Sequence, residues 1–404
     1  MTAPQLCFDC VLFDLDGTLV ATDRFWPDAG RAGALRAFAT LGLSRPIPGP
    51  EEWMSMVGMP LDEGFERVFA DLDSHQRQVL LEACVEEEHR LLDEGAAGLL
   101  PGTLDTLSAL AARGVPMGIA SNCSTAYLDA MLRGLGLEQW ISEARCLESP
   151  GVRNKADMIQ DLLLVFGTRS AVMVGDRAGD RDAAWANGLP HVHLSRGYAG
   201  RGEDVSAEAT IAGLDELPGV LERRSRRVRA CLDELALPEG PVVVGVGGPA
   251  CAGKSLWLRD LAVALEAQGR AVRRVDMQSL RRPDHGGDWD DSGDPLLGVS
   301  TAYDLDGLVV RIEAEGNERG EVVLVEGRYL QHSRVLQALD RLVWVDVSDA
   351  VGERRLAGRD GRLDGPGPLA RLRDFDRPLG RSLARSVPPQ GVAHVLLSGE
   401  NPLE

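Results

Sequence analysis

Twice along this chain an apolar, strand-like run breaks directly into a small polar turn and then into helix-patterned sequence. That succession is what a buried parallel strand and its crossover helix require. Residues 10–15 (CVLFDL) run into Asp16-Gly17-Thr18, and residues 241–246 (PVVVGV) run into a Gly-rich turn followed by LWLRDLAVALEAQG. Further runs of the same kind occupy 115–120 (VPMGIA), 171–174 (AVMV), 271–275, 322–325 (VVLV) and 342–347. Helical pattern separates them. The expected fold class is therefore α/β, in two domains, each a mainly parallel sheet flanked by helices. At 404 residues the chain is also too long for one ordinary domain.

The expected domains are 1–222 and 241–404, joined by a linker helix over 223–240. The linker carries Arg223, Arg224, Arg226, Arg227 and Arg229 without interleaved aromatics, which reads as a solvated helix; Gly240-Pro241 punctuates its end. Between about 22 and 100 the pattern is largely helical, an insertion behind the first strand. No stretch approaches the roughly 20 apolar residues of a membrane span, and the N-terminus has no basic leader segment. The seven cysteines lack zinc-type spacing, Cys7 and Cys10 already leading into a strand, so they read as reduced thiols and the expected compartment is the cytoplasm. With 43 basic and 62 acidic residues the formal charge is −19, which argues against nucleic acid as partner and for a small molecule.

Of the 43 basic residues only two are lysines, Lys155 and Lys254. Where arginine serves every generic positive charge, a lysine marks a place needing a compact ammonium on a flexible stem. Both lysines fall on positions that independent motifs demand.

In the front half, Asp14 and Asp16 sit where a strand ends and a Gly-containing turn begins. Alternate strand residues face opposite ways, so both carboxylates serve one site only if the turn starts between them. A bare pair of this kind also occurs as a simple capped turn. Three later features point to a site: Ser121-Asn122 after the 115–120 run offer donors to a phosphate, Lys155 lies in a loop before the helical pattern 156–165, and Gly175-Asp176 with Asp180 close the 171–174 run. The order DxDGT, Ser, Lys, GDxxxD over roughly residues 8–222 resembles the haloacid dehalogenase superfamily of phosphatases and mutases. By that resemblance Asp14 is the nucleophile and Asp16 the acid/base. Thr18 and Ser121 bind phosphate, and Lys155 offsets its charge. Asp14, the Asp16 carbonyl and Asp176 hold Mg²⁺, with Asp180 supporting. The helical insertion resembles the superfamily's cap, which leaves phosphatase and phosphomutase both open and implies a small substrate. Lys155 stands in RNKADM rather than the commoner Lys-Pro.

In the back half, Gly248-Pro249-Ala250-Cys251-Ala252-Gly253-Lys254-Ser255 satisfies GxxxxGK(S/T) between strand and helix. Such a loop cradles phosphates with backbone N–H groups, its Lys reaches the β/γ-phosphates and its Ser binds Mg²⁺. Asp276, Glu326 and Asp346 end three other strands, and Arg354, Arg355, Arg359 and Arg362 follow in RRLAGRDGR. On residues alone these arginines fit a phosphoryl-covering lid or an ordinary charged helix. The set resembles the uridine kinase/phosphoribulokinase-like branch of the P-loop kinases. That resemblance implies ATP as phosphoryl donor, Asp276 as base, Glu326 near metal or substrate, and Arg355 and Arg359 as lid arginines. The aromatic pair usual in nucleoside kinases is missing after Asp276; His285, Trp289 and Asp290 are candidate acceptor contacts.

The expected function is a bifunctional phosphatase/kinase acting on a small phosphate ester and a hydroxyl acceptor. Polynucleotide 3′-phosphatase/5′-kinase activity is an alternative, opposed by the charge, the cap and the lack of a basic-aromatic surface. A nucleotide sensor without transfer is another.

Overall fold

The computed structural model describes residues 6–200, 202–203, 205–282, 293–316, 321–360, 376–401 and 403. The chain divides into two compact units, one of Met1–Pro4 and Phe8–Val220, the other of Gln5–Cys7 and Leu221–Glu404. The α/β expectation holds in both, for each is built on a parallel sheet.

The first unit carries β1 (Cys10–Phe13), β2 (Met117–Ala120), β3 (Glu143–Arg145), β4 (Ala171–Gly175), β5 (His191–Leu194) and β6 (Ala209–Ile211) in the order β3-β2-β1-β4-β5-β6. Every pairing is parallel, with Val11 opposite Met117 on one side and Val172 on the other. The order in which successive strands are added reverses between β1 and β4, so the carboxyl ends of those two parallel strands open the crevice where ligands collect.

The helical insertion leaves the sheet after Val20 and returns at Leu99, the two residues bridging antiparallel. The Ala21 N–H donates to the Gly98 carbonyl at 2.8 Å and the Leu100 N–H to the Leu19 carbonyl at 2.9 Å. Its helices are Trp26–Leu41, Pro50–Met54, Leu61–Val68 and Ser74–Asp93. Trp26, Trp53, Phe65 and Phe69 interlock as edge-on or tilted rings 5.6–6.5 Å apart. The first and last helices approach so closely that a Cβ on Gly33 would stand 2.5 Å from the Cys84 backbone.

The second unit carries β7 (Val242–Gly247), β8 (Ala271–Asp276), β9 (Glu321–Gly327), β10 (Arg341–Asp346) and β11 (Val395–Ser398), in the order β11-β10-β7-β9-β8, all parallel. Gly247, at the end of β7, pairs with Gly327 and Trp344, and Asp276 pairs with Glu326, so the strands finish at one edge.

The helix expected as a solvated linker differs from that reading. It spans Leu217–Leu235, and Arg224, Ser225, Val228, Cys231 and Leu235 are buried. Leu221, Ser225, Val228, Cys231 and Leu235 recur every three or four residues, so a buried stripe runs through the arginine cluster. Arg224 is fully buried, its Nε 2.7 Å from the Asp260 carboxylate and its guanidinium 3.7 Å from the Trp257 ring centroid. Asp260 and Trp257 lie on the helix Lys254–Ala267. Removing one partner of a buried pair strands the other charge. Arg224→Ala is therefore expected to destabilise the protein by about 3–5 kcal/mol in urea titrations, and the Arg224→Met/Asp260→Leu double variant by less. Equal losses would show that the pair itself, and not the stranded charge, sets the cost.

Candidate functional site

In the first unit β1 ends at Phe13, and the Asp14 N–H still bonds to the Val174 carbonyl of β4 at 2.9 Å. The chain then turns. Gly17 has φ +76°, and a Cβ there would stand 2.4 Å from an Asp176 carboxylate oxygen. The turn thus starts between Asp14 and Asp16, which brings both to one end of the sheet. On β4 the terminal Gly175 admits Asp180, whose carboxylate lies 2.4 Å from where a Cβ would sit. Asp180 is on the first turn of the helix Ala178–Ala186, where it accepts from the Arg177 N–H at 2.9 Å.

Lys155 is not in a loop. It is the first residue of the helix Lys155–Val165, capped by the Asn154 side chain, which accepts from the Asp157 N–H. Its Nζ donates to Asp14 Oδ1 at 2.8 Å and to Asp180 Oδ1 at 2.6 Å, and all three residues are buried. Burial works against a charged ammonium, but the two carboxylates outweigh it and hold the Lys155 pKa above its ordinary value. Burial and the Asp180 charge push the Asp14 carboxyl up, against the pull of Lys155. Burial and the Asp14 charge push Asp176 well up as well.

Asp14, Asp176 and Asp180 present oxygens that all lie within 4.8 Å of one another. One ammonium against three carboxylates leaves a formal −2, and Asp14 Oδ2 is buried with no hydrogen-bond partner. A hard divalent cation with oxygen ligands fits this deficit. Thr18, fully buried, donates from its hydroxyl to Asp176 Oδ1 at 3.4 Å.

Asp16 faces a different environment. Its Oδ1 accepts from Thr22 Oγ1 at 2.5 Å and from the Tyr127 hydroxyl at 2.6 Å; burial raises its pKa, and those two hydrogen bonds oppose the rise. Neither partner is named by the motif: Tyr127 lies 111 residues from Asp16, and Thr22, only six residues on, reaches it through the turn that follows β1. Asp16 and Ser121 line a cavity of about 360 Å³ whose other wall comes from the helical insertion. Asn122, expected to offer its amide to a phosphate, instead donates through Nδ2 to the Gly58 carbonyl of the insertion at 3.1 Å.

In the second unit the turn after β7 has the shape its glycines suggest. Gly248 has φ +147°, with a would-be Cβ 2.1 Å from the Val345 carbonyl oxygen, and Cys251 has φ +58°. Gly253 caps the helix Lys254–Ala267. Ser255 Oγ donates to Glu326 Oε1 at 2.6 Å, and Lys254 Nζ donates to the Pro249 carbonyl of its own turn at 2.6 Å. Burial draws the Lys254 pKa down to about 8, with Glu326 opposing. A cavity of about 280 Å³ adjoins Pro249 and Ala250, bounded by Arg328, Tyr329, Asp346 and Arg377. Neither Asp276 nor Glu326 is among its lining residues. Asp276 is exposed and accepts from the Gln278 N–H. Arg355 differs from the lid expectation, since its guanidinium is anchored on the backbone carbonyls of Cys251, Gly399 and Glu400. His285, Trp289, Asp290 and Arg362 lie outside the described residues, as does the side chain of Arg359. Among the described residues no helix is long and apolar enough to cross a membrane.

Residues 8–188 match the family model described as haloacid dehalogenase-like hydrolase. The phosphoglycolate phosphatase of Shigella boydii serotype 4 (strain Sb227) is 29% identical over 213 residues, covering 46% of this chain and 81% of that protein. Its counterpart in Escherichia coli (strain K12) is 28% identical with the same coverage. The crystal structure of a predicted phosphoglycolate phosphatase from Haemophilus somnus 129PT covers 54% of this chain and 99% of its own, at 20% identity and a TM-score of 0.49. The N-terminal half of this chain carries a haloacid dehalogenase-superfamily phosphatase domain.

The raised Asp14 and Asp176 carboxyls bind more protons folded than unfolded once pH exceeds the ordinary carboxylate value of about 4. Stability in chelator is therefore expected to fall as pH rises from there toward neutrality. A divalent cation, which needs both groups ionised, should stabilise increasingly over the same range. Thermal melts with EDTA and with Mg²⁺ at several pH values test this; an Mg²⁺ shift that did not grow with pH would count against the three carboxylates as its ligands.

Proposed function

We propose that this protein is a bifunctional phosphoryl-transfer enzyme of small metabolites, a phosphomonoesterase in its first unit and an ATP-dependent kinase of a hydroxyl acceptor in its second. The observation that carries the phosphatase mechanism is the buried Asp14–Lys155–Asp180 bridge, with Asp176 alongside it and Asp16 lining the adjoining cavity.

Asp14 attacks the phosphorus and takes the phosphoryl group as an aspartyl-phosphate, while the bond to the leaving oxygen breaks. Asp16 gives its proton to that oxygen, then removes one from the water that hydrolyses the intermediate. Its raised pKa keeps the proton available nearer neutrality, and Thr22 and Tyr127 aim the carboxylate. Lys155 keeps Asp14 anionic and in position. Ser121 and Thr18 contribute to seating the phosphate. Asp14, the Asp16 carbonyl and Asp176, with Asp180 supporting, would hold Mg²⁺, which supplies the charge that lets a carboxylate approach a phosphate dianion. Water exclusion falls to the insertion, bound to the sheet side through Asn122 and Gly58.

In the second unit the turn 248–255 would cradle the ATP phosphates, and Lys254 would leave the Pro249 carbonyl for the β/γ-phosphates. Ser255 and Glu326 would hold the nucleotide's Mg²⁺, with Asp276 as base. Arg355, held on the backbone of that turn, would shape it rather than close over the phosphoryl group. Opposed action on one position would be a futile cycle, so the two units act on different positions or at different stages of one pathway.

Asp14→Asn is expected to lower phosphatase turnover by about 10³-fold or more. Lys155→Arg should fail to restore the activity lost in Lys155→Ala, because a planar fork does not replace a buried point charge. For the kinase, Asp14→Asn protein with Mg²⁺ and ATP would be assayed on nucleosides, sugars, amino alcohols and 5′-OH oligonucleotides. Transfer to a small molecule, lost in Lys254→Ala, is the expected result. Transfer to oligonucleotides alone would overturn it in favour of end processing, and tight ATP binding without turnover in favour of a nucleotide sensor.

A further inference from the structure

The cavity beside Asp16 has a charge balance that a phosphate site alone does not require. Among the described residues its lining holds four carboxylates, Asp16, Asp62, Glu88 and Glu148, and no Lys, Arg or His. Two of the four are accounted for. Asp16 is held by Thr22 and Tyr127, and Glu148 accepts from the Thr125 N–H at 2.8 Å. Asp62 is solvent-exposed.

Glu88 is different. It lies on the helix Ser74–Asp93 of the insertion, is only 6% exposed, and lines the cavity. No hydrogen bond or ion pair reaches its carboxylate from any described residue. Around it the wall is apolar, with Trp26, Met56, Met59, Leu81 and Val85. A buried carboxylate without a partner is costly, and one persists where a ligand completes it. Burial pushes the Glu88 carboxyl up to about 8, with the Asp16 charge adding to the rise. A positive charge in the cavity would offset both.

We propose that this cavity selects a phosphomonoester whose leaving group carries a protonated amine, such as a phosphorylated amino alcohol or amino sugar. Glu88 pairs with the ammonium, and the Trp26 and methionine wall covers its carbon skeleton. The inference rests on the phosphatase reading of the first unit and names the substrate class of that site. The phosphate is seated at the strand ends beside Asp16 and Ser121, which leaves the far wall, on the insertion, to read the alcohol. A carboxylated leaving group, as in phosphoglycolate, would instead bring an anion to a wall that offers acidic side chains and no cation.

The test uses the full-length protein with Mg²⁺ and four esters: O-phosphoethanolamine, ethyl phosphate, 2-phosphoglycolate and p-nitrophenyl phosphate. The amine ester is expected to exceed 2-phosphoglycolate in kcat/KM by at least about 30-fold, since like charges brought together cost several kcal/mol. In Glu88→Gln that ratio should collapse toward one, mainly through a raised KM for the amine ester. The amide is isosteric and cannot take up the charge that pairs with the ammonium, and the wild-type preference is decisive on its own should the variant misfold. Turnover of p-nitrophenyl phosphate without amine preference would overturn the inference and leave the phosphatase reading intact. A ratio unchanged by Glu88→Gln would overturn the assignment to Glu88. Turnover of none of the four esters would sink both.

Discussion

A single ammonium is the constraint on which the first unit depends. Parallel strands ending at a sheet reversal bring Asp14, Asp176 and Asp180 together away from water, where like charges repel most strongly. Lys155 makes that tolerable by bridging two of the three. To do so it must begin a helix, so that a short reach carries Nζ between carboxylates delivered by different strands. Gly17 and Gly175 follow from the same crowding, since each leaves the space a carboxylate occupies. The glycines, the helix start and the lysine are one solution to one electrostatic problem.

The second unit places its lysine in a different economy of charge. There the turn after β7 runs through positive φ at Gly248, Cys251 and Gly253 before the helix begins. Its lysine is not locked between anions but rests on a carbonyl of its own turn, with its pKa drawn down by burial. The two lysines of the chain thus occupy opposite regimes. One is held charged by its carboxylate neighbours; the other has a neutral carbonyl as its partner, with burial working against its charge.

Much of this was legible in the sequence because strand ends are. Buried parallel strands are written in short, mainly apolar runs, so β1, β2, β4, β7, β8, β9 and β10 are recognisable, and the polar residue that follows most of them is recognisable with them. β3 (EAR) and β5 (HVHL) were not, being short and carrying polar residues. Asn122 was read as a phosphate donor because sequence shows which strand end a side chain follows, not which neighbour reaches it first. The burial of the helix Leu217–Leu235 is masked by its many arginines, because its buried stripe shows only once the residues are set on a helical face. Glu88 was hidden for the same reason. In a run of three glutamates it looks like part of a solvated face, and only packing shows that one of the three points inward.

The burial of Arg224 against Trp257 and Asp260 bears on how the chain could be cut. Composition places a seam at Gly240-Pro241. A fragment starting there would uncover an indole and strip Asp260 of the guanidinium that is hydrogen-bonded to it. Leu6 and Cys7 belong to the same body, and the Cys7 N–H donates to the Ser225 hydroxyl at 3.0 Å. The second unit is therefore discontinuous, clasped by a short segment from ahead of β1. Severing the halves by gene truncation means keeping the whole 217–235 helix and doing without that clasp, whereas a protease nick in a surface loop would keep both.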